Sequence, residues 1–435
     1  MKKHLVKYLI CTPLLFVSIF FGACSDNDNP ESSTYDPNQP IRLDSFSPDS
    51  GGMATKVIIK GSNFGSNANN IKVYYNDKAA AVVNSNGSEM YVITPRQPGD
   101  TCNIAVVIGK DSLIFDNQFH YKTTISVTTV AGKPGSADLS AGGTLAEAVF
   151  NTVCFLCVDV ENNIFMTQRS PGAVVLINEK SNRTMLLREG NVPNLPCVDS
   201  EGRVVMVPDD GGDNFFVFDP DNQWATRNTF IIHPTADDIA AGMFNFNVNW
   251  KHALASCKLD GYIYTRAYNG ELIKFHPKTR KGQKIDEGLM IDGDSYLQFH
   301  PIDEHILYLT YPNKHCIYTY NIETKEHKLF AGKVSGAGSW LDGDRSEAEF
   351  NNPRQLCMDK EGNVYVADEN NHVIRMINTE GSVSTIIGIP GKSGYQDGNP
   401  EDALFNFPRG VAIDSNGDIY VADKGNKCVR KLSIQ

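Results

Sequence analysis

The chain has 435 residues, 41% hydrophobic and 21% charged, with 36 glycines and 17 tyrosines; this globular composition has room for two or three domains and excludes disorder as the default. The net charge of −11, more negative still once Lys2, Lys3 and Lys7 are removed with a leader, sets up overall repulsion from nucleic acid. No long apolar segment of period 3.6 follows the first two dozen residues, so helix should be scarce and short strands joined by tight turns common.

Residues 1–23 read as a secretory signal: the basic MKKHLVK, then the apolar YLICTPLLFVSIFFGA, then Cys24. Gly22-Ala23-Cys24 resembles a bacterial lipobox, with Phe21 where Leu is more usual. The resemblance implies lipidation of Cys24, so that a lipid and not a transmembrane helix holds the protein to the membrane. Residues 24–40 are polar and contain several prolines, as expected of a flexible tether. Their SDNDNP start resembles the acidic signal that sends lipoproteins of Bacteroides-type bacteria to the outer surface. The implied location is the outer membrane, lipid-anchored and facing the exterior.

Of ten cysteines, Cys11 lies in the leader and Cys24 is the proposed lipid site. Eight remain: Cys102, Cys154, Cys157, Cys197, Cys257, Cys316, Cys357 and Cys428. Export permits disulfides, but Cys157, Cys197 and Cys357 share one position of a repeat described below, which favours small buried hydrophobes. Cys154 and Cys157 form a CxxC, yet a strand would aim them at opposite faces and no second CxxC exists, so no zinc or other metal is expected.

Residues 41–122 alternate apolar and polar positions in short runs, such as Val57-Ile58-Ile59 and Val73-Tyr74-Tyr75, between Asn-Gly and Pro-Gly turns. FSPDSGG followed by TKVIIKGSNFG, then Thr94-Pro95 and the closing FHY, resembles an IPT/TIG immunoglobulin-like domain. The resemblance implies a β-sandwich used as a spacer or interaction platform, with no chemistry of its own.

Residues 123–435 repeat themselves. FNNPRQLCMDKEGNVYVADENNHVIRMI (350–377) and FNFPRGVAIDSNGDIYVADKGNKCVRKL (405–432) match without a gap, and fainter copies begin at residues 150, 192, 254 and 299. Each unit reads as strand, tight turn, strand, loop and strand. A fourth strand is visible after some units, as in SVSTIIG, but the last unit ends at KLSIQ. SVTTVAG (126–132) stands before the first unit and reads as that missing strand, which would close a ring and remove exposed edges. The units resemble NHL repeats, which implies an all-β chain: an IPT/TIG sandwich followed by a six-bladed NHL β-propeller.

The repeats act as an internal control on apparent sites. The run AIDSNGDIYVADKGN (412–426) looks at first like a calcium loop. Asp414 recurs as Asp359, Asp199 and Asp159, but Asp418 becomes Asn363 and Arg203, and Asn416 is aligned with Glu361, Glu201 and Asn162. Arginine at a ligand position opposes calcium, whereas a hairpin turn needs only the Asp and a residue tolerant of positive φ. Asp368 and Asp423, each ending a YVAD, read as loop caps bonding nearby backbone N–H groups rather than an acid pair.

Histidines are the remaining enzyme candidates. Only His252 and His300 lie near first-strand positions, and no His-x-His or His-Glu-x-x-His spacing occurs. No Walker loop, Gly-x-Ser-x-Gly elbow or dinucleotide fingerprint is present, so no catalytic residue and no cofactor is assigned. Binding is sought on the face opposite the Asp turns. Trp340 and Tyr395 hold equivalent loop positions there, and Trp250 follows the longest insertion. Arg354 and Arg409 sit just before two first strands, with Asp342 and Asp397 as alternative partners, and Tyr296 precedes another. Arg266 with Tyr268, and Tyr311 with Asn313, follow second strands. Aromatic rings and guanidinium groups suit stacking on sugars and bonding their hydroxyls. The combination resembles the surface glycan-binding lipoproteins of Bacteroides polysaccharide-utilisation systems, which implies a non-catalytic glycan binder beside a SusC/SusD-like transporter. A protein-binding NHL scaffold and a propeller lyase or hydrolase are the alternatives.

Overall fold

The computed structural model describes residues 34–434, except 97–98, 137, 227, 235, 241–249, 290–292 and 335–336. The leader, Cys24 and most of the tether therefore lie outside the described residues, as does half of the long insertion before Trp250. The chain divides into two compact units, Met1–Lys122 and Thr123–Gln435.

In the first unit a seven-stranded sheet runs in the order Arg42–Ser47, Lys56–Ser62, Glu89–Ile93, Lys78–Ser85, Ile71–Tyr75, Ile104–Ile108, Asp111–Ile114. Strand Lys78–Ser85 is shared along its length. Its start pairs with Ile71–Tyr75 and its end with Glu89–Ile93, with a bulge near Asn84. That bend lets the two halves face one core. Alternation does the sorting: Val57, Ile59, Val73 and Tyr75 are buried, while Ile58 and Tyr74 between them are only half so. Phe46, Phe115 and Phe119 fill the centre edge to face, with Phe46 and Phe115 at 4.9 Å.

The second unit holds six sheets among its described residues, one per repeat, antiparallel except where His233–Pro234 adds a parallel edge to the third. Their first strands are Val153–Val158, Cys197–Val198, Lys251–Ser256, Tyr296–Phe299, Pro353–Met358 and Pro408–Ile413. Each of these strands touches the first strand of the next sheet, and the sixth touches the first. In the sixth sheet Ile125–Gly132 pairs in antiparallel register with Cys428–Ile434, so the chain's early strand supplies the fourth strand of its last repeat. Phe150, Phe350 and Phe405 recur as fully buried anchors ahead of their units' first strands.

Two recurrent polar devices set loops of the repeats, one in four units and one in two. At the first turn Asp159, Asp199, Asp359 and Asp414 each accept, through Oδ1, the N–H groups two and four residues on, at 2.8–3.1 Å. Positive φ falls on Gly202, Gly362 and Gly417, and on Asn162, which thus aligns with Gly417 and not with Asn416. Arg203 closes back on its own Asp199 at 2.7 Å, so the position that argued against calcium is part of the turn.

At the opposite end, Asp368 and Asp423 are fully buried. Each caps a backbone N–H, from Asn351 and Asn406 respectively, and each also binds a buried arginine of the third strand. Arg375 reaches Asp368 at 3.1 Å and Asp342 at 2.6 Å; Arg430 reaches Asp423 at 3.0 Å and Asp397 at 2.5 Å. These triads place Asp342 and Asp397 on Arg375 and Arg430, not on Arg354 and Arg409. The eight cysteines of the described units are free, and all but Cys157 are buried.

Candidate functional site

The first strands begin at one end of the second unit and run to the Asp turns at the other. Midway, Gln355 of the fifth sheet reaches past the sixth sheet to the first, exchanging 3.0 Å and 2.6 Å bonds with the N–H and C=O of Leu156. Gly410 lies at this crossing because a Cβ there would stand 2.6 Å from the Cys154 carbonyl and 2.9 Å from the Gln355 amide oxygen. Toward the turns a cavity of about 570 Å³ opens, lined by Cys157, Cys197, Cys357, Leu254, Gln298 and Gln355. Its walls are aliphatic and thiol-rich, with no aromatic ring. Burial drives the thiols of Cys157, Cys197 and Cys357 far above the ordinary range, so they stay protonated and behave as small apolar groups.

The starting ends of the first strands carry the charged residues. Asp294, just ahead of the fourth sheet, is their centre. Its carboxylate receives Arg354 Nη1 at 2.7 Å and His252 Nδ1 at 3.2 Å, and Arg409 Nη2 lies 3.7 Å away. Burial works against its charge, but Arg354, His252 and Arg409 overcome it and hold Asp294 below the usual carboxylate range. A second carboxylate, Glu369, takes Arg354 Nε at 2.6 Å and Lys424 Nζ at 3.1 Å. Burial again opposes ionisation, and Arg354, Arg409 and Lys424 again prevail. The Tyr296 hydroxyl accepts from Arg354 and Arg409 at 3.3 and 3.4 Å.

His252 is buried, and that burial holds it down to about 4, so it is neutral near pH 7. With its Nδ1 hydrogen directed to Asp294, its Nε2 is an acceptor, and this atom is buried without a hydrogen bond. Arg409 Nε is likewise buried and unbonded. The Tyr268 ring leans on His252 at 5.5 Å, and the Tyr268 N–H donates to the Trp250 carbonyl at 3.1 Å. Tyr268 and Trp250 are 53% and 50% exposed; the Tyr268 ring flanks the charged cluster, and Trp250 is joined to it through the backbone, with its indole nitrogen near Gly211.

The ten residues expected from sequence thus separate into groups. Tyr268, Tyr296, Arg354 and Arg409 converge on His252 and Asp294, and Trp250 is tied to Tyr268 by a backbone bond. Arg266 and Tyr311 are fully buried behind them: Arg266 Nη1 donates to the Gly293 carbonyl and Ser295 Oγ at 2.9 and 3.3 Å, buttressing the Asp294 segment. The Tyr311 hydroxyl bonds His327, and its ring lies under Arg266. Neither side chain is accessible to a ligand. Asn313 is exposed in the turn Pro312–Lys314 after the fourth sheet's second strand. Trp340 and Tyr395 are displaced outward: Trp340 Nε1 donates to Thr385 Oγ1 at 3.0 Å and the Tyr395 hydroxyl meets Thr129 Oγ1 at 2.8 Å. Both threonines belong to fourth strands, so these aromatics are fastened to the outer strands of their sheets.

Sequence reasoning did not identify Asp294, Glu369 or Lys424. A signal existed for the last two, since Glu369 and Lys424 follow YVAD in matching units with opposite charges and pair with each other. The histidines considered for catalysis have local partners instead. His315 and His372 Nδ1 accept the N–H of Asn352 and Phe407, and His276 and His300 Nδ1 accept turn N–H groups. No group of three His, Cys, Asp or Glu side chains suited to a metal occurs among the described residues.

Comparison with known proteins places these observations. The IPT/TIG domain family matches residues 40–127, and the NHL repeat family matches 350–375 and 405–432. NHL repeat-containing protein 2 of Gallus gallus is 39% identical over 84 residues, and the chain spans about a tenth of such relatives, 11% in this case. A Bacteroides thetaiotaomicron structural-genomics protein of unknown function is 26% identical, covering 93% of this chain and 100% of that one with a TM-score of 0.73. A Bacteroides ovatus structure described as an auxiliary nutrient binding protein is 22% identical, with coverage of 93% and 100% and a TM-score of 0.65. One from Bacteroides thetaiotaomicron with the same description is 23% identical, covering 92% and 99%, with a TM-score of 0.61. The chain is an all-β protein that joins an IPT/TIG domain to NHL repeats in a β-propeller fold.

Proposed function

We propose that this chain is a surface lipoprotein that holds a polysaccharide or oligosaccharide, without cleaving it, at the charged end of a six-bladed propeller. In this reading residues 1–23 are the lipoprotein signal, Cys24 carries the lipid and 24–40 form the tether. Residues 41–122 form the IPT/TIG spacer, and 123–435 close into six blades through the pairing of Ile125–Gly132 with Cys428–Ile434.

The observation that carries the reading is the exposed Tyr268 ring on His252, backbone-bonded to the exposed Trp250, at the cluster of Asp294, Arg354 and Arg409. Exposed aromatic faces suit the apolar faces of sugar rings, and fixed donors and acceptors next to them suit hydroxyls. The two solved Bacteroides proteins described as auxiliary nutrient binding proteins support a nutrient-capture role. A SusC/SusD-like transporter is the partner such capture would serve.

Affinity electrophoresis of the soluble chain through gels containing neutral and acidic polysaccharides tests the proposal. Retardation by at least one glycan, abolished in the Trp250→Ala, Tyr268→Ala double variant, is expected. Retardation by none refutes glycan binding, and depolymerisation of a retarding glycan refutes the non-catalytic role. For the anchor, Cys24→Ser should release the exported protein from the outer membrane into the soluble fraction.

A further inference from the structure

The five ionic side chains joined at Asp294 and Glu369 do not balance. Arg354, Arg409 and Lys424 face Asp294 and Glu369, and His252 adds no charge when neutral. One positive charge is left over, and the geometry identifies where it sits. Arg354 is taken up at both edges of its guanidinium, by Asp294 at 2.7 Å and Glu369 at 2.6 Å. Lys424 has Glu369 at 3.1 Å. Arg409 meets the Tyr296 hydroxyl at 3.4 Å, Asp294 at 3.7 Å and the face of the Phe155 ring at 5.3 Å, and its Nε is buried without a hydrogen bond.

That arrangement is costly for a guanidinium whose side chain is only 10% exposed, because a buried charge ordinarily carries close, charge-assisted bonds. The contrast within the same unit is sharp. Arg430, also buried, meets Asp397 and Asp423 at 2.5 and 3.0 Å and adds carbonyl contacts to Leu404 and Gln396. The unbonded Nε is shared with the structural Arg375, so it is the long distance to its carboxylate that sets Arg409 apart and gives it the form of a binding group. Its planar fork suits an oxyanion presenting two oxygens, and the exposed ring of Tyr268 flanks the same cluster.

We propose that the bound glycan is acidic, and that a carboxylate or sulfate on a sugar completes the coordination of Arg409. The inference rests on the sugar-binding reading and deepens it to a ligand class. His252 Nε2, an acceptor without a donor, is placed to receive a hydroxyl of the same sugar.

The test compares one polymer with and without its charge: polygalacturonate against its fully methyl-esterified form, with alginate, dextran sulfate and uncharged dextran alongside, each in affinity gels. Tighter binding of an acidic polymer by about tenfold or more is expected, and it should weaken with added salt. Polygalacturonate or alginate binding identifies the carboxylate; dextran sulfate binding alone identifies the sulfate. Arg409→Gln should abolish the acid preference while leaving the melting temperature close to wild type, with Arg409→Lys retaining part of it. Should Arg409→Gln misfold, the wild-type comparison of acid with ester still decides. Equal or tighter binding of uncharged polymers overturns this inference and leaves the sugar reading standing. Binding of no polymer at all overturns both.

Discussion

Two sets of arginines in the second unit show how differently the same side chain is used. Arg375 and Arg430 lie within the fifth and sixth sheets, completely buried, each held between two carboxylates and two carbonyls. Arg354 and Arg409 lie at the start of the first strands of the same two sheets, and there the coordination is unequal. Arg354 is taken up on both edges, whereas Arg409 has two long contacts and an unbonded Nε. The first pair repeats its carboxylate and carbonyl partners from sheet to sheet, as a structural device should, although Arg430 Nε bonds Asp397 and Arg375 Nε is unbonded. The second pair does not, and a departure from the repeat at matched positions points to use rather than support.

The comparison can be broken by mutation. Arg430→Met strands Asp423 and Asp397 in the protein, so a loss of about 3–5 kcal/mol is expected in denaturant unfolding. Arg409→Met leaves Asp294 with Arg354 and His252 and should change stability by only about 1 kcal/mol or less. Equal costs would make the two arginines alike and remove the distinction.

The pH dependence sharpens the comparison. His252 is held to about 4 in the fold against an ordinary value near 6.5, so the unfolded chain binds the extra proton first. Its contribution is present above pH 6.5 and lost as pH falls through 6.5 toward 4, up to about 3 kcal/mol. His252→Gln should flatten that part of the stability–pH curve, read by thermal melts across the range. An unchanged slope would mean the imidazole is not buried beside Asp294. Gly410→Ala should cost about 1–3 kcal/mol, because its Cβ meets the Cys154 carbonyl and the Gln355 bridge. Asp414→Ala removes two turn bonds and should cost about 1 kcal/mol, with EDTA leaving the wild-type melting temperature unchanged.

Much of this architecture was legible in sequence because repeats supply their own controls. Arg203 at the place of Asp418 separates a turn from a calcium loop. The early SVTTVAG declared itself as a strand without a partner, and it pairs with the last repeat. Chemistry at the candidate site was less legible, for a physical reason. Asp294, His252 and Arg409 come from three different sheets, and a linear pattern carries no record of which first strands meet. For Tyr311 and Trp340, loop position alone did not show what the side chains pack against. Their loop positions suggested a ligand face, but one is buried under Arg266 and the other is fastened to Thr385.

The most direct measurement is a crystal structure of the chain with an oligosaccharide cut from its tightest-binding polysaccharide. The account predicts a sugar ring against Trp250 and Tyr268, with its anionic group on Arg409. Sugar bound instead in the cavity of Cys157, Cys197 and Cys357, or no bound sugar at saturating concentration, would contradict it.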